Sequence, residues 1–122
     1  MAIQYTIKTE GDLLVVDTSG FDESLEEVQR YGMEILDACK RGKHTHVLCN
    51  EQDLEYRLGT FDTYQYAEFL AEQIPHLGKA AIVCNEKAIT DAKFWETVAV
   101  NRGLMVRVFK DMDSARLWLS EG

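Results

Sequence analysis

The sequence predicts a single α/β domain on a mostly parallel sheet, and three observations carry that. Short apolar runs alternate with longer segments whose apolar residues recur at helical spacing. The resulting order is ββαβαβαβα, with a tight turn between the first two strands and helices between the later ones. With 122 residues, 46% of them hydrophobic and 28% charged, the chain has the size and composition of one globular unit, residues 1–122.

Ile3 to Lys8 (IQYTIK) alternates apolar and polar, as a half-buried strand does. Glu10-Gly11-Asp12 is a turn, after which Leu13 to Asp17 (LLVVD) is apolar enough for a more buried strand, paired antiparallel with the first. Gly20 closes it. Ser24-x-x-Glu27 opens a helix as a capping box, and Leu25, Val28, Tyr31, Ile35, Leu36 and Cys39 form its inward face. Gly42 fits the C-cap, with Lys40, Arg41 and Lys43 near the negative end of the helix dipole. His46 to Asn50 (HVLCN) is a buried strand, whereas Glu51 to Phe61 has no clean period and reads as a loop.

Asp62-x-x-Gln65 opens a second helix with Tyr66, Phe69, Leu70, Gln73 and Ile74 on its face, stopped by Pro75 and Gly78. Ala80 to Asn85 (AAIVCN) is the next strand. Ala88 to Arg102 is a helix with Ala88, Ile89, Ala92, Trp95, Val98 and Ala99 inward. Leu104 to Phe109 is the last strand, and Asp111 caps a final helix holding Met112, Ala115, Trp118 and Leu119. The echo of VLCNE (Val47–Glu51) in IVCNE (Ile82–Glu86) is too short for a duplication and marks two buried strands reaching the same sheet end.

Composition narrows the function. A net charge of −8 disfavours nucleic acid and anionic membrane surfaces, which need a basic face. No apolar run approaches the roughly 20 residues of a membrane span, and MAIQYTIKTEGD lacks the features of a signal peptide, so a cytoplasmic location is expected. Three cysteines without a CxxC indicate neither a disulfide framework nor a structural zinc. His44 and His46 share a strand face by spacing but lack a third metal ligand, and His76 falls near the start of the next strand. We therefore expect no metal and no cofactor.

No complete catalytic set emerges. Asp17-Thr18-Ser19-Gly20 looks like half of an aspartic-protease site, but that chemistry needs two such loops and an all-β frame. Glu51, Asp53 and Glu55 read as a solvated acidic loop. Trp95, Phe109 and Trp118 sit at core positions. Tyr56, Phe61, Tyr64 and Tyr66 cluster around the irregular stretch and a helix start, as a pocket lining or a partner-contact patch does, with Tyr66 at a core position and Tyr56 and Tyr64 the better interaction candidates. Cys49-Asn50 and Cys84-Asn85 end parallel strands, where open α/β sheets bind ligands.

The order ββαβαβαβα, the strand-turn LLVVDTSGFDES, the segment HVLCNEQDLEYRLGTFDTYQYAEFL and the ending VRVFKDMDSARLWL together resemble the SpoIIAA-like, or STAS, domains. The ending is similar to that of small bacterial STAS-like proteins, with Phe109, Asp111, Ala115, Trp118 and Leu119 in the corresponding places. The resemblance implies a strand-end turn at Gly20 and a bacterial regulatory role, as in anti-sigma factor antagonists. It places the family's phosphorylated Ser at the start of the helix after the third strand. Here that region is Gly59 to Tyr64, where Asp62-Thr63 stands for Asp-Ser and Tyr64-Gln65 replaces Ser-Gly. Thr63 and Thr60 are the candidate phosphoacceptors.

The leading expectation is a non-enzymatic interaction module whose loop and helix around residues 56–69, with Tyr56, Asp62 and Tyr64, meet a protein partner. A homodimer is a further expectation. The alternative is binding of a small or lipid-like ligand at the strand ends near Cys49, Asn50, Cys84 and Asn85, since the STAS-like fold resembles lipid carriers of the Sec14 kind. A third is a thiol enzyme using Cys49 or Cys84.

Overall fold

The computed structural model describes residues 2–73 and 78–121. The expected end of the second helix at Ile74 and Pro75, and His76, lie outside them. The elements follow the predicted order: β1 (Ile3–Glu10), β2 (Leu13–Asp22), α1 (Leu25–Gly42), β3 (His46–Tyr56), α2 (Thr60–Gln73), β4 (Lys79–Val83), α3 (Ile89–Asn101), β5 (Met105–Phe109) and α4 (Met112–Ser120). A 3-10 turn, Glu86–Ala88, leads into α3.

The sheet order equals the chain order, β1-β2-β3-β4-β5, with β1 antiparallel to β2 and the rest parallel. Three right-handed crossovers stepping in one direction must place their helices on one face, and α1, α2 and α3 share one core with the even-numbered side of β2. That core includes Leu14, Val16, Val28, Ile35, Val47, Ile82, Ala92 and Val106. α4 packs on the opposite face, where Ala115 and Leu119 meet Val15, Leu48, Ala81 and Val83. Leu48 is fully buried there, a burial that contributes about 1.5–3 kcal/mol.

Four local expectations are corrected. VVDTSGF is not a strand-end turn: β2 runs through it to Asp22, and Gly20 pairs with Ile3. Gly20 is required there because its φ is +92° and a Cβ would lie 2.1 Å from the Ala2 carbonyl oxygen. Gly42 is the last helical residue of α1, and Lys43 takes the left-handed cap position at φ 58°, its N–H donating to the Cys39 and Lys40 carbonyls. α2 starts at Thr60, not after Asp62, and the Thr63 N–H donates to the Gly59 carbonyl at 3.0 Å. The stretch Glu51–Tyr56 is not a loop but the second half of β3.

A bulge explains the last of these. Asp17 pairs with Asn50 and Ser19 with Asp53, so β3 spends one residue more than β2 between the two pairs. The extra residue shifts the phase of alternation. Before it, Val47, Cys49 and Glu51 are buried; after it, Leu54 is buried and Tyr56 half-buried. Read without the shift, the segment has no period.

Candidate functional site

The bulge holds the Glu51 carboxylate inside the helix-covered layer, only 8% exposed. Each oxygen has a partner. The Tyr31 hydroxyl donates to Oε2 at 2.7 Å, and the Tyr56 hydroxyl donates to Oε1 at 2.5 Å. The Tyr31 proton is thereby used, so the Thr18 hydroxyl, 2.8 Å away, donates to the Tyr31 oxygen. Thr18, Tyr31, Glu51 and Tyr56 thus form one chain of hydrogen bonds spanning β2, α1 and β3. Burial pushes the Glu51 carboxyl up from its ordinary value, against the pull of the two tyrosine hydroxyls.

Asp22, at the end of β2, accepts from the backbone N–H groups of Arg57 (2.6 Å) and Leu58 (3.0 Å). It pins the connection that leads into α2. Its carboxyl is also raised, by burial above all.

Beside these carboxylates lies a partly enclosed cavity of about 120 Å³ between the sheet and α1, α2 and α3. Val28, Ile35, Leu54 and Val106 form apolar wall, and Tyr31, Tyr56, Tyr66 and Trp95 line it with rings. Tyr66 stacks on Trp95 at 6.2 Å between centroids. The Trp95 indole N–H is buried without a hydrogen-bond partner, the one such side-chain group among the described residues.

The sequence-predicted residues are dispersed. Cys49 lines this cavity, and Cys84 is buried in the same core. Asn50 instead donates to Asp17 (3.3 Å). Asn85 caps the 3-10 turn, accepting from the Ala88 N–H (3.0 Å) and donating to the Gln52 carbonyl (3.0 Å). Burial raises the pKa of all three thiols, Cys39 to about 11, which is the opposite of an activated nucleophile. His44 lies outside β3 and its Nδ1 contacts the Asp12 carbonyl, so it does not share a strand face with His46. No group of three or more metal-ligating side chains forms among the described residues.

Of the expected contact residues, Tyr56 turns its hydroxyl inward to Glu51, while Asp62 is half-buried and Tyr64 exposed beside Arg102. Phe61 is 70% exposed. Thr60 is exposed, and the Thr63 hydroxyl is engaged with the Gly59 carbonyl at 3.0 Å. Glu51 departs from its reading as a solvated acid. Its spacing from Val47 and Cys49, in steps of two, was the available signal that it shares their buried face.

No family model matches the chain, and no curated protein does. Solved structures do match. An anti-sigma factor antagonist from Mycobacterium paratuberculosis superposes with a TM-score of 0.67 at 12% identity, over 98% of this chain and 95% of that one. The chain has a SpoIIAA-like fold. An uncharacterised protein of the DUF3478 family from Shewanella loihica PV-4, with the same SpoIIAA-like fold, superposes with a TM-score of 0.61 at 17% identity over 97% and 94% of the two chains. At these identities the shared property is the fold, which is the one expected for a STAS-type domain.

Proposed function

We propose that this SpoIIAA-like chain is a non-catalytic regulatory module that engages a protein partner through the loop and helix around residues 56–69. The observation that carries the reading is Phe61. A large apolar ring stands in water at the start of α2, next to the half-buried Asp62 and one turn from the exposed Tyr64. Such a ring, rimmed by polar groups, is the common form of a contact hot spot. The fold shared with an anti-sigma factor antagonist supports the same role. Site-specific photocrosslinking in the native host tests it. A crosslinker at position 61 captures a discrete protein adduct, and one at Leu117, equally apolar and 66% exposed on α4, does not. Equal capture from both positions, or none from either, overturns the assignment.

Thr60 is the accessible candidate for phosphorylation, because the Thr63 hydroxyl is already bonded. The intact native mass reports both a phosphoryl group and a homodimer. A dimer through the β5 edge is disfavoured by side chains that occupy that edge. The Val108 N–H donates to Glu96 at 2.6 Å, and its carbonyl accepts from Lys93 at 3.4 Å.

A second reading, ligand binding near the strand ends, is favoured by the cavity beside Glu51. It involves Cys49 but not Asn50 or Asn85, whose side chains are spent on local structure.

A further inference from the structure

We infer that the Glu51 cavity selects a small organic ammonium ion, a one-ring or short-chain amine, over neutral molecules of the same shape and over organic anions. This rests on the reading of the cavity as a ligand site and adds the chemistry of the ligand.

Size comes first. A cavity of about 150 Å³ holds benzene, and pockets for drug-sized ligands run to about 300–1,000 Å³. At about 120 Å³ the space beside Glu51 accepts one small body and is too small for a lipid chain. Charge comes second. Three carboxylates line the cavity, Asp22, Glu51 and Asp91, and no lysine, arginine or histidine does so among the described residues. Asp91 is exposed on α3, whereas Glu51 is buried. The acids thus run from the surface to the interior. They repel an anion along that path and attract a cation.

The rings are the third and independent observation. Tyr31, Tyr56, Tyr66 and Trp95 present aromatic surface to the same space, and aromatic faces attract ammonium groups. Each Glu51 oxygen accepts one tyrosine proton and retains acceptor capacity for a donor from the ligand. An ammonium supplies that donor together with the charge a buried carboxylate lacks. In its absence, Glu51 is a carboxylate with hydrogen bonds but no counterion, an arrangement that costs stability.

The test compares three shape-matched probes on the full chain: benzylamine, benzyl alcohol and benzoate. The readout is the indole N–H resonance of Trp95, with Trp118, on the other face of the sheet against Phe109, as internal control. We expect benzylamine to shift Trp95 alone and to bind about tenfold or more tighter than benzyl alcohol, the scale of one hydrogen bond to a charged group. Benzoate leaves Trp95 unmoved. Glu51→Gln retains benzyl alcohol and loses the preference for the amine. If benzyl alcohol or benzoate binds wild type as tightly as the amine, the charge selection is wrong and the ligand site stands. If none of the three moves Trp95, the ligand site falls as well.

Discussion

The two halves of β3 differ in almost everything except that they are one strand. From His46 to Asn50 it is a conventional central strand, buried on both faces and flanked by β2 and β4. From Glu51 to Tyr56 it pairs only with β2, carries an acid into the core and helps wall a cavity. One inserted residue separates the two regimes. The lesson is that a bulge does more than bend a strand. It lets one segment obey packing and the next obey chemistry, on the same face of the same sheet.

The largest effect tests the packing half. Leu48→Ala removes a fully buried side chain between the sheet and α4. It should lower unfolding stability by about 2–5 kcal/mol, measured by urea denaturation, with amine selectivity in the cavity unchanged. A loss of under about 1 kcal/mol would mean that α4 is not docked as described.

In the chemical half the expected loss is smaller. Tyr56→Phe leaves one Glu51 oxygen without its donor and should cost about 1–3 kcal/mol, by the same measurement. The loss should shrink at acid pH, where a protonated Glu51 no longer demands two donors. A pH-independent cost would show that the ring's packing, rather than its hydroxyl, matters.

Wild-type stability should itself carry the signature of Glu51. Its folded pKa is raised above the ordinary 4.5, so the folded state holds the proton more tightly than the unfolded one. The contribution is fully present below that ordinary value and is lost as pH rises through the elevated folded value. Asp22 acts in the same direction, and the surrounding Tyr31, Tyr56 and Cys49 remain neutral throughout this window. Glu51→Gln should therefore flatten, without abolishing, the decline as pH rises above the ordinary carboxyl value of 4.5. Urea midpoints across that range read it directly, and an unchanged slope would assign the decline elsewhere.

Beyond β3, the smallest effect is expected at the surface. Phe61→Ala should change stability by no more than about 0.5 kcal/mol while removing the adduct captured by a crosslinker placed at the neighbouring exposed position 64. A larger loss, measured by thermal unfolding, would recast Phe61 as a structural residue.

The same division explains how far the sequence could be read. The first half of β3, the α1 and α3 faces and the Asp111 cap, whose carboxylate accepts from the Ser114 N–H at 2.7 Å, all follow local rules of period and capping. The second half does not, because the bulge breaks the period that would reveal it. A Glu among acidic neighbours gives no local sign that Tyr31, twenty residues earlier, waits to bond it. The Asp22 bonds to Arg57 and Leu58 are equally non-local. Lys43 in place of Gly42 as the left-handed cap is a shift of one residue, which composition favouring glycine cannot foresee.

Because the strands are laid down in chain order, each one finds its predecessor already waiting as its neighbour. In such a sheet each new parallel pair is closed across little more than one helix of chain. Among the described residues α4 makes the longest-range side-chain bond, Arg116 meeting Glu10 at 2.6 Å across 106 residues. A chain that has not yet formed α4 leaves Val15, Leu48, Ala81 and Val83 without their cover on that face of the sheet.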